Sequence, residues 1–99
     1  MLCTFVQTVR IVDMNDEIIH EVVFQHGEFD GAAPVVGGSV VTHELGLQQF
    51  EVVYDRREGR IARTKIVDVE YDFLSAPVRV RAILEPVKLI VGQHDVGIL

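Results

Sequence analysis

"CTFVQTVRIVDMNDEIIHEVVF", residues 3 to 24, decides the fold class. Cys3, Phe5, Val9 and Ile11 share one parity in the first run, which is how one face of a half-buried strand reads. "DMND" (13 to 16) supplies a turn, because Asp and Asn side chains bond their own backbone and tolerate turn geometry. In "EIIHEVVF" Ile18, His20, Val22 and Phe24 then take one face, with Glu17, Ile19, Glu21 and Val23 on the other. Two alternating runs across a short polar turn predict an antiparallel hairpin.

The same period continues outward. A loop is predicted from Gln25 to Gly38, punctuated by Pro34 and the Gly37-Gly38 pair, and "SVVTH" resumes as a short strand. "LQQFEVVYD" alternates Phe50, Val52 and Tyr54 against Leu47, Gln49, Glu51 and Val53. After a turn around "DRREG", "RIARTKIVDVEYDF" runs back as a long strand. "APVRVRAIL" and "VKLIV" complete the set, with Pro86 separating them or marking an edge position. A helix over Ser39 to Phe50 is the alternative for that segment. Ser39 could cap it, but Gly46 inside and Val40-Val41 at its start favour strand. The expectation is one all-β domain over residues 1–99, a small antiparallel barrel or sandwich of six to seven strands. The alternative is α+β, with one short helix near 39–50. Closing the sheet would remove exposed edges that invite aggregation.

Composition agrees with one domain. The chain has 99 residues, 48% of them hydrophobic, enough for one modest core and too apolar for disorder. No apolar run reaches the length of a membrane span, and "MLCTFVQTVR" lacks the basic-then-apolar layout of a signal peptide. The single cysteine cannot form an internal disulfide, so a cytoplasmic protein of bacterial or phage type is expected. The net charge of -6 is unevenly spread: residues 1 to 55 carry nine acids and one base, residues 56 to 99 eight bases and six acids. So acidic a chain disfavours nucleic acid, although a local basic patch could still bind it.

"APVVGGSVV" followed by "QFEVVYDRREGRIARTKIVDVE" resembles the proline-x-x-glycine approach and following hairpin of small SH3-like barrels, common among phage and integron-cassette proteins. The resemblance spans roughly residues 33 to 70. It implies a binding or assembly module rather than an enzyme.

Two sets of residues are candidates for chemistry. In "FQHGEFDG" (24 to 31), His26, Glu28 and Asp30 alternate with Gly27, Phe29 and Gly31, so an extended backbone would turn three ligand-type side chains to one side. His20 or His43 could add a fourth ligand for a metal or a small-molecule enzyme. The flanking glycines and the absence of an HExxH or cysteine pair favour a polar loop anchored by Phe29, so neither metal nor cofactor is expected. His20 reads as a core or interface histidine, and Cys3 as a buried thiol. Asp68, Glu70 and Asp72 read as a solvated strand face.

The second set is basic: Arg56, Arg57 and Arg60 at a hairpin tip, Arg63 and Lys65 on one strand, Arg79 and Arg81 on the next. Antiparallel pairing could gather these cations for a phosphate or carboxylate, or for nucleic acid. Pairing with Glu51, Glu58, Asp68 or Glu70 would instead neutralise them. The tip arginines are expected to contribute little to the core.

A homodimer is expected from doubled apolar positions: Ile18-Ile19, Val22-Val23, Val52-Val53 and Ile66-Val67. One core covers one face of a sheet, and a twofold partner could cover the other. The C-terminal "VKLIVGQHDVGIL", ending in Ile98-Leu99, suits lying across a neighbour.

Overall fold

The computed structural model describes residues 2–31 and 33–96. Asp13 makes the first turn, its Oδ1 accepting the N–H of Asn15 at 2.8 Å and of Glu17 at 3.0 Å. That turn folds β1 (Leu2–Val12) against β2 (Ile18–Asp30) as the expected antiparallel hairpin. β3 (Ser39–Gln48), β4 (Glu51–Asp55), β5 (Ile61–Asp72) and β6 (Arg79–Ile90) follow. The fold is all-β, with no helix among the described residues and a six-stranded sheet nearly closed into a barrel. Its strand order is β2-β1-β6-β5-β3-β4. Neighbours run antiparallel except β1 and β6, which run parallel.

Residues 39–50 are strand and turn, so the helical alternative is not taken. Gly46 is required here for packing. A Cβ on it would collide with the side chain of Val96 and lie 3.0 Å from the His94 carbonyl. That approach lets residues 94–96 lie along β3, where Leu47 N–H donates to His94 O at 3.0 Å and Val96 N–H to Leu47 O at 2.9 Å.

Three local expectations are corrected. β2 runs on to Asp30, so the loop begins at Gly31 rather than at Gln25. "LQQFEVVYD" is two strands joined by a two-residue turn at Gln49-Phe50, which closes the Gln48↔Glu51 pair. Both turn residues have positive φ, 52° and 67°, a conformation usually announced by Asn-Gly and therefore not visible in Gln-Phe. His20 lies opposite the buried Ile11 but is itself exposed, as is the whole start of β2 from Ile18 to Glu21, where Ile19 is an extra residue in the β1–β2 register. The proposed dimer role of Ile98-Leu99 lies outside the described residues.

The core has two apolar clusters. Cys3, Ile66, Val80, Ala82 and Leu84 form one, and Val9, Ile11, Leu47 and Leu89 the other. Gln7, itself 5% exposed, sits on β1 between them.

The strands that build these clusters also divide the sheet. β5 and β6 pair from Asp72↔Arg79 to Ile66↔Leu84 and then part. Beyond that point Ile61–Lys65 pairs with β3, and Val87–Ile90 with β1. Pro86 stands at the fork, in an interior strand rather than at an edge, where its missing N–H interrupts no ladder bond. The register between β1 and β6 shifts there. The Glu85 carboxylate accepts the Lys65 N–H at 2.9 Å.

The strained turn yields a prediction. Left-handed geometry costs a non-glycine residue about 1–2 kcal/mol, partly offset in a Gly substitution by unfolded-chain entropy. Replacing Gln49-Phe50 by Asn-Gly should raise unfolding stability by about 1 kcal/mol in urea. A loss of stability would show that the exposed Phe50 ring contributes more than its backbone strain costs.

Candidate functional site

The fork between β5 and β6 opens a cleft of about 270 Å³. One wall is the start of β5 with the middle of β3, presenting Ala62, Thr64, Thr42 and Leu45; the other is the end of β6, with Val87, Lys88 and Leu89. Arg60, Glu44, His43 and His94 line the cleft with Gln7. Alternation accounts for part of this lining, since Ala62 and Thr64 share the parity of Ile66, which is buried in the core.

Gln7 ties the cleft to the seam of the barrel. Its Nε2 donates to the Glu85 carbonyl at 2.8 Å, which turns Oε1 toward His26 Nε2, also at 2.8 Å. His26 must therefore carry its proton on Nε2, leaving Nδ1 to accept from the Tyr54 hydroxyl at 2.7 Å. Tyr54 is on β4 and His26 on β2, the two ends of the sheet order. Phe24 joins them edge-on, 5.3 Å from the Tyr54 ring. Side chains thus complete the barrel where no backbone ladder does. Burial lowers the His26 pKa and raises that of Tyr54, against a smaller lowering by the Arg56 charge.

The alternating His26, Glu28 and Asp30 are not brought together. Phe5 pairs with Gly27 and Val6 with Gln25, so His26 is the extra residue of a β-bulge. Gly27 supports it with φ of 121°. The added residue reverses the parity: His26 points inward, while Glu28 and Asp30 pair opposite Thr4 and Leu2 on the exterior. His20 is exposed, and the His43 ring lies 5.9 Å from the Tyr54 ring. No group of three His, Cys, Asp or Glu residues among the described residues could hold a metal ion.

The basic residues are likewise dispersed. Arg79 and Arg81 lie opposite Asp72 and Glu70, and Arg81 Nε donates to Glu70 at 2.8 Å. Arg63 and Lys65 lie beyond the fork, on the part of β5 that pairs with β3. At the tip Arg57 grips Asp55 through Nε at 2.8 Å and Nη2 at 2.6 Å. Asp55 is 3% exposed, and this hydrogen-bonded pairing holds its pKa down at about 2. Arg57 is therefore structural, which corrects the expectation that the whole tip contributes little to the core. Arg56 lies over the Tyr54 ring at 5.9 Å. Arg60 reaches Glu44 only at 3.6 Å.

Sequence reasoning missed the cleft because its walls come from segments brought together by the fork. The signal available was Pro86 inside a strand-like run. Cys3 is buried as expected, and its pKa is raised chiefly by burial. No family model matches the chain, no curated protein is similar to it, and no solved structure matches it.

The His26 network makes stability depend on pH. The unfolded chain holds His26 at its ordinary 6.5 and the folded chain below it, so between these values the unfolded state binds more protons. Stability should be complete above pH 6.5 and fall as the pH drops toward the folded value. Urea melts across this range should show that slope, and His26→Gln should flatten it. An unchanged slope in the variant would assign the dependence to other groups.

Proposed function

We propose that the protein is a non-enzymatic binding module that takes a small molecule in the cleft between β3–β5 and β6. The observation that carries this reading is the fork itself. Two strands that pair over half their length part around a recess with apolar walls and converging polar groups. Such a mixture suits a small-molecule site, and the size is near the lower end of the roughly 300–1,000 Å³ usual for one. The network from Gln7 through His26 to Tyr54 supports it by fixing one lining side chain in a single orientation. The resemblance to SH3-like barrels of phage and integron-cassette proteins favours a binding role of mobile-element type. A cytoplasmic setting belongs to the same proposal and rests on a sequence with one cysteine. No helix among the described residues is long and apolar enough to cross a membrane.

A ligand-observed NMR screen with acidic, basic and neutral fragments tests the cleft. Hits on the native protein should disappear in Val87→Trp, which fills the recess. An absence of hits, or hits insensitive to the filling, would remove the reading.

The assembly part of the proposal is a homodimer through β2. This strand ends the sheet order and presents Ile19, 52% exposed, and Val23, 65% exposed. A second copy would cover both with its own β2 face. Light scattering should give twice the 11.1 kDa of one chain, and Val23→Glu should return the single-chain mass. A native mass of one chain would overturn the dimer.

A further inference from the structure

We propose that the ligand of the cleft is a small monocarboxylate with an apolar body, its carboxylate held at Arg60. This rests on the cleft being a binding site and names the chemistry it selects.

Arg60 brings to the cleft donors that no described side chain meets at hydrogen-bond distance. Arg60 lies 3.6 Å from Glu44, an ion pair too long for a direct hydrogen bond, and both side chains are about half exposed. A guanidinium presents five donors in a planar fork matched to a carboxylate. Arg60 therefore has donors to spare. His94 adds another: its Nδ1 accepts the Ile90 N–H at 2.8 Å, which leaves the proton of the neutral ring on Nε2. Lys88 contributes less, because its ammonium is drawn 2.7 Å from Asp16. Among the described residues Glu44 is the one carboxylate lining the cleft, and it already faces Arg60. A guanidinium with unmet donors beside a recess calls for an anionic partner.

The rest of the lining limits the anion. Leu45, Ala62, Val87 and Leu89 make an apolar surface that a phosphate or a dicarboxylate would leave uncovered. The chain's net charge of -6 adds a repulsion that grows with ligand charge, which favours one negative charge over two or three. A cleft of about 270 Å³ admits a short alkyl or single-ring body beside the acid.

Hexanoate and benzoate are the probes, titrated by NMR against hexylamine and hexanol near neutral pH. Both acids should bind, and hexylamine and hexanol should bind at least about tenfold more weakly, as expected when a charge-assisted bond is lost. Arg60→Gln should weaken the acids by at least about tenfold, with Lys88→Gln changing them less than about threefold. Val87→Trp should abolish acid binding, and Ala62→Leu, a smaller filling of the opposite wall, serves if the tryptophan variant does not fold. Equal binding of hexanol or hexylamine, or acids indifferent to Arg60→Gln, would overturn the carboxylate assignment. The cleft reading would survive either result if the filling variant still removed binding. Failure of every probe, together with an empty fragment screen, would overturn both.

Discussion

Pro86 has no N–H to give, and the arrangement of the sheet follows from where that loss is placed. An interior strand cannot keep a full ladder on both sides through a proline. β6 meets the constraint by releasing β5 after Leu84 and shifting register against β1. Groups freed at the fork are met by side chains: Glu85 takes the Lys65 N–H, and Gln7 donates to the Glu85 carbonyl. Because the fork lies mid-strand, the interior divides into an apolar cluster on either side of Gln7. One missing donor thus accounts for the cleft, the split core and the buried amide between them.

That buried amide carries a cost which the seam removes. A buried primary amide left unmet loses about 1–3 kcal/mol per group, so Gln7 at the centre of a small barrel needs partners at both ends. His26 supplies the second: it continues the inward parity of Val22 and Phe24, and the β2 bulge then turns Glu28 and Asp30 outward, away from it. Once inside, His26 needs a donor for Nδ1, and Tyr54 from the opposite edge of the sheet provides it. No buried side-chain nitrogen or oxygen among the described residues lacks a partner. The polar band therefore joins the two ends of the sheet.

Periodicity made the all-β class and the β1–β2 hairpin legible, since a half-buried strand needs its apolar residues two apart. The same rule failed wherever the backbone inserted a residue. It grouped His26 with Glu28 and Asp30, and His20 with Ile18, because a bulge changes parity without changing composition. The Gln49-Phe50 turn was hidden for a different reason, its residues being unlike those that usually take positive φ. Arg57 looked like its neighbours at the tip, and what distinguishes it is the burial of Asp55 two residues earlier. Of the cleft, only its cause could be read in advance, as Pro86 in a run that otherwise looks continuous.

Cross-strand register disposes of much of the exterior charge. Arg10 meets Glu21 at 3.0 Å, and Arg81 reaches both Glu70 and Asp72, exposed pairs that water and salt screen. These contacts contribute little stability; in the basic segment itself Arg57 is taken up by Asp55, and Arg60 faces Glu44. What distinguishes Arg60 is its looser pairing, 3.6 Å from Glu44, beside apolar walls. A run of like charges shows where cations occur in the chain. The register of β5 against β6 and β3 determines which of them keeps unused donors facing a recess.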